Sequence, residues 1–137
     1  MTTFALVHGA FHGAWCWDLV RPELESRGHR TVAMDLPCDD PGAGSARYAE
    51  VVAEAIRDEG DDVIVVGHSL AGLTVPLVAA TRPVARIFLA VDCIQTTPER
   101  LPEPVFETLA GVRLPCLVLD VRPASAVQTL ALAIDRL

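Results

Sequence analysis

Apolar residues in this chain gather in short runs rather than alternating strictly with polar ones. Phe4 to Val7, Thr31 to Leu36, Asp62 to Val66, Arg86 to Val91 and Cys116 to Val121 are runs of this kind. A short apolar run bounded by glycine, proline or charge reads as a strand buried on both faces. Between the runs the spacing turns helical. Ala14 to Arg27 carries Trp15, Leu19, Val20 and Leu24 near i, i+4, i+5 and i+9, with Gly28 as a stop. Tyr48 to Asp58 sets Val51, Val52, Ala55 and Ile56 against an acidic side of Glu50, Glu54 and Asp58. Leu70 to Ala80 and Ala124 to Leu137 complete the helices, the last with Val127, Leu130, Ala131 and Ile134 on one face. Pro76 falls at about the second turn of its helix, where it costs a hydrogen bond unless the helix begins later. Strands alternating with helices predict an α/β fold: a doubly wound, mostly parallel sheet of about five strands with helices on both faces.

The length and composition fit one domain over residues 1–137. The chain is 51% hydrophobic and has a net charge of -7, which suits one substantial core and argues against a nucleic-acid partner, since no cluster of Lys and Arg offsets the acidity. The longest apolar stretches, such as Leu73 to Ala80, fall well short of the roughly 20 residues that cross a bilayer. The start, Met1-Thr2-Thr3-Phe4, has no charged region of the signal-peptide kind, so a cytoplasmic location is expected. Cys16, Cys38, Cys93 and Cys116 show no metal-ligand or redox spacing and read as small buried thiols. No metal and no cofactor are expected.

Two segments carry candidate chemistry. Gly67-His68-Ser69-Leu70-Ala71-Gly72 follows Val63 to Val66 directly, so an apolar strand breaks at a glycine, presents a serine and enters a helix. That is the physical description of a nucleophile elbow. A serine hydroxyl needs exposure, a base and an oxyanion site before it reacts. The elbow supplies exposure. His8-Gly9-Ala10-Phe11-His12-Gly13 follows the first strand and offers backbone N–H groups for an oxyanion. Either segment alone is weakly specific, and the pair is much more so.

With both segments the chain resembles the α/β-hydrolase superfamily, in its branch of small esterases, methylesterases and hydroxynitrile lyases. The likeness spans about Phe4 to Ala90 and includes Trp15, Trp17, Gly28-His29 and Asp35-Leu36-Pro37. It implies Ser69 as the nucleophile and an oxyanion hole formed by Leu70 with Ala10 or Phe11. It also implies a small, mostly apolar ester or related small molecule as partner, and Asp35 as a structural turn residue. The elbow departs from the usual pattern in having Ala71 where a glycine is common. The family takes its triad in the order serine, acid, histidine, whereas every histidine of this chain lies at or before position 68. Asp92 to Leu114 is too short for the family's full helical cap.

The expectation is therefore a nucleophile whose base is not identifiable, with Asp92, Asp120 and His12 as candidates for acid or base. The plainer reading of Ser69 is a helix N-cap, and that of His12 a polar residue at the pocket mouth. Trp15 and Trp17 are expected in core and pocket wall. Three functional readings stay open: a minimal serine hydrolase, an inactive hydrolase fold that binds a small apolar ligand or a partner, and a rearranged member that dimerises through an exposed sheet edge.

Overall fold

The computed structural model describes residues 1–91 and the strand at residues 116–120. Its strands are β1 (Thr3–Val7), β2 (Arg30–Ala33), β3 (Val63–His68), β4 (Arg86–Val91) and β5 (Cys116–Asp120), and its helices α1 (Val20–Ser26), α2 (Ser45–Ala55) and α3 (Val75–Thr81). Short 3-10 turns at Ala14–Trp17 and Ser69–Leu73 precede α1 and α3. The strands lie in the order β2-β1-β3-β4, all parallel, and the backbone of β5 runs parallel beside β4. No described helix is long and apolar enough to cross a membrane.

Both faces of the sheet are covered, which is why the strands carry continuous apolar runs. Successive strand residues point to opposite faces. Ala5, Val7, Val63, Val65, Ile87 and Leu89 pack with Val52 and Ile56 at α2 and Val75 and Val78 of α3. Phe4, Leu6, Ile64, Val66 and Phe88 pack on the other face with Trp17, Val20 and Leu24. From β1 the chain crosses by α1 to β2, then returns by α2 past β1 to β3 on its far side. The direction of winding thus reverses between β1 and β3. A crevice opens beyond the carboxyl ends of the strands at such a reversal, and here both glycine-rich segments emerge into it.

Several sequence expectations are corrected. The helix expected over Ala14 to Arg27 is two pieces, a 3-10 turn and α1, with Asp18 and Leu19 between. Asp18 N–H bonds to the Trp15 carbonyl three residues back, so the hydrogen-bond pattern changes while the backbone stays helical. Gly28 does end the segment, at φ +83. The buried stripe at α2 is Ala49, Val52 and Ile56, with Ala55 exposed. The anomaly at Pro76 resolves because α3 begins at Val75, placing the ring at the second helical position where no helical N–H is lost. Trp17 is buried as expected, but Trp15 is 63% exposed. Of the thiols, Cys16 is half-buried and Cys38 is exposed, so Cys38 is not the buried residue expected. The expected helix over Ala124 to Leu137 and the residues Asp92 and Cys93 lie outside the described residues.

At the opposite end of the sheet, Arg82 acts as a strap. Its guanidinium donates to the carbonyls of Ile56, Glu59 and Gly60, tying the end of α2 to the turn that leads into β3.

Candidate active site

Ser69, the first residue of the 3-10 turn that follows β3, sits at φ +52. Only glycine takes that region freely, so a serine there holds strain of the order of 1 kcal/mol or more, which the surrounding packing must offset. The packing is close. A Cβ on Gly67 would stand 2.6 Å from Val75 Cγ2, so the strand can pass α3 only with glycine at 67. The same added Cβ would stand 3.4 Å from the Ala71 methyl. Ala71 therefore fills space that Gly67 leaves, and the departure from a second glycine is accommodated. Gly72 has nothing within 4 Å of an added Cβ, so space does not require glycine there.

The loop after β1 lies directly on this turn. A Cβ on Gly9 would meet the His68 carbonyl oxygen at 2.9 Å and Ser69 Cβ at 3.0 Å. Two clamps to the end of β2 fix the loop. The buried His8 ring is held at both nitrogens: Nε2 accepts from Leu36 N–H at 2.9 Å, which leaves Nδ1 to donate to the Gly9 carbonyl at 2.8 Å. Asp35 Oδ1 accepts from Ala14 N–H at 2.7 Å and would lie 2.7 Å from a Cβ on Gly13. Asp35 thus has the structural role expected of it, as a brace for the glycine loop. Between the clamps Phe11 stands at φ +60 with its side chain fully exposed.

Ala10, Phe11 and Leu70 come together along one cavity of about 530 Å³. Leu70 belongs to the first turn after β3, where backbone N–H groups have no helical partner. His12 also borders the cavity. Its Nδ1 bonds to the Ala10 carbonyl at 2.8 Å, its ring stacks on Trp15 with centroids 5.4 Å apart, and it meets His68 edge-on at 5.6 Å. Asp120 lies in β5, as its apolar run predicts. In register His68 pairs with Ala90, and Val91 with Asp120. Continued one residue past the β3 ladder, this register sets the Asp120 backbone level with Ser69, two strands or about 10 Å across the sheet.

Sequence reasoning missed four residues that line the cavity. Cys38, Ser45 and Tyr48 reach it from the segment around the start of α2, and Thr74 from the end of the 3-10 turn. The helical pattern marked Tyr48 only as a helix start, and no motif marks the other three. Burial, the Cys38 thiol and the Asp40 carboxylate, in that order, raise the Tyr48 phenol above its ordinary 10.0. It is a neutral donor at physiological pH. No group of three or more metal-ligating side chains occurs among the described residues.

A parallel sheet whose winding reverses beside a serine elbow is the frame of an α/β hydrolase. The alpha/beta hydrolase family profile matches residues 4–135, and the chain belongs to that family. It is 36% identical over 113 residues to methylesterase 3 of Arabidopsis thaliana, covering 74% of this chain and 42% of that protein. To the alpha-hydroxynitrile lyase of the same plant it is 38% identical over 89 residues, covering 58% and 34%. Among solved structures, a pyrethroid hydrolase from Sphingobium faniae JZ-2 matches with a TM-score of 0.58 at 31% identity, covering 74% of this chain and 46% of that one. The chain spans less than half the length of each of these relatives.

Proposed function

We propose that the chain carries the nucleophile and oxyanion site of a serine esterase acting on small, mostly apolar esters. The observation that carries this reading is Ser69 at positive φ with the Gly9 loop packed against it, the strained strand-to-helix turn that lifts a serine hydroxyl out of the sheet. In this mechanism Ser69 Oγ bonds to the ester carbonyl carbon and its proton passes by way of a base to the departing alcohol. The carbonyl oxygen, negative in the tetrahedral intermediate, accepts from the Leu70 N–H and that of Ala10 or Phe11. Water then cleaves the acyl-serine, releasing the acid and returning a proton to Ser69. Asp120, level with Ser69 two strands away, is the acid we favour over Asp92 and His12.

The histidines support a second reading, in which the fold binds a small apolar ligand without turning it over. Both ring nitrogens of His8 are committed to the backbone, and His12 holds the Ala10 carbonyl while stacked on Trp15. Hydrolysis of p-nitrophenyl butyrate by the protein and by Ser69→Ala separates the two. The esterase reading expects a rate that falls by at least about 10³-fold in the variant, as loss of a nucleophile does. Equal slow rates in both would leave only ligand binding.

A further inference from the structure

The cavity beside the elbow has a chemistry that the nucleophile and oxyanion donors leave unused. Besides Ala10 and Leu70, where an ester carbonyl would be held, it is lined by Leu36, Ser45, Tyr48 and Thr74. Ser69 does not itself line the cavity, which adjoins it through Gly9, Leu70 and Ala71. At about 530 Å³ the cavity lies within the range of small-molecule sites.

Three properties of the wall narrow the occupant. Thr3, His8 and Thr74 are the buried polar residues among those described. The Thr3 hydroxyl donates to Glu59 at 2.9 Å, and the His8 ring is bonded on both sides. Thr74, only 2% exposed, instead borders the cavity, and a buried hydroxyl is costly unless water or a ligand bonds to it there. Ser45 and Tyr48, the latter already hydrogen-bonded to the Cys38 thiol, add two more hydroxyls to the lining. Among the described residues that line the cavity there is no Lys or Arg, and there is Asp39, so the field that these residues set opposes a second negative charge.

On the serine esterase reading, we propose that this cavity receives the acyl group of the ester and selects uncharged acyl groups that carry a hydroxyl over plain alkyl ones and, more strongly, over acids. The same field favours release of the carboxylate product, which is born as an anion beside Asp39.

Matched six-carbon esters test this directly: p-nitrophenyl 6-hydroxyhexanoate, p-nitrophenyl hexanoate and mono-p-nitrophenyl adipate. The expected order of kcat/KM is hydroxyl above alkyl by about 3- to 10-fold, the worth of one hydrogen bond, with the adipate lowest. Tyr48→Phe and Thr74→Val should each reduce the hydroxyl-to-alkyl ratio, and Thr74→Ser should restore it. Binding is read separately, by amide shifts of Ser45 and Thr74 in NMR titrations with 6-hydroxyhexanamide, hexanamide and adipamate, which have no cleavable ester. Equal kcat/KM for the three esters, an adipate as good as the alcohol, or ratios unmoved by both wall variants would overturn the proposal. If no ester is cleaved but the amides bind in the expected order, the cavity assignment stands and the esterase reading fails. If the amides bind in no order or shift neither residue, the cavity assignment fails whatever the turnover.

Discussion

Ser69 and Phe11 are the described non-glycine residues at positive φ, and both belong to the loops that meet where the sheet reverses its winding. Strain of this kind persists only where neighbours over-determine the backbone, and the neighbours are identifiable: Val75 against Gly67, and the His8 and Asp35 clamps around Phe11. Away from the site, the thiols make a prediction from single-residue environments. Burial, and then the Asp18 carboxylate, push Cys16 from 9.0 up to about 11. The folded chain therefore holds this proton more tightly than the unfolded one. The resulting contribution to stability is complete below pH 9 and is lost as pH rises from 9 to 11. Because the thiolate is the reactive form, iodoacetamide should label exposed Cys38 well before Cys16 at about pH 8, and Cys16 labelling should quicken about tenfold per pH unit towards 11. Peptide mapping checks this, and equal labelling of the two at the lower pH would contradict it.

At the level of elements, the braces on the glycine loop account for more than its sequence does. Asp35→Ala removes the acceptor for Ala14 N–H and should cost about 1 kcal/mol in urea unfolding; on the proposed esterase reading, ester hydrolysis should fall proportionally more because the loop that bears Ala10 and Phe11 loosens. Asp35→Asn keeps an oxygen acceptor and should fall between. The elements themselves were legible where burial on both faces makes a strand apolar throughout, as in Val63 to Val66 and Ile87 to Leu89. The split before α1 was not legible, because Trp17, Val20 and Leu24 keep helical spacing across it and Asp18 and Leu19 keep helical dihedrals. The elbow and glycine loop could be read because their residue types report backbone constraints. The clamps join residues 21 and 28 positions apart, and the Thr74 and Tyr48 wall exists only once α2 has crossed the sheet. Such contacts have no local signature.

For the whole molecule, one sheet separates two apolar layers, and each layer should answer to its own mutations. Val20→Ala acts in the layer with α1 and Val52→Ala in the layer with α2 and α3. Each should destabilise by about 1.5 to 3 kcal/mol. Because the sheet stands between them, the double variant should equal the sum within about 0.5 kcal/mol. Denaturant melts of the four proteins test this, and a coupling beyond that margin would mean the layers communicate through the strands. The Arg82 strap has a practical consequence at the same scale. It steadies the turn before β3, at the end of the strands away from Ser69, and β3 places about 20 Å between them. An added side chain at Gly60 meets nothing within 4 Å, so Gly60→Cys, with the native cysteines including the exposed Cys38 replaced by serine, offers a point for tethering the protein to a solid support with its cavity facing the solution.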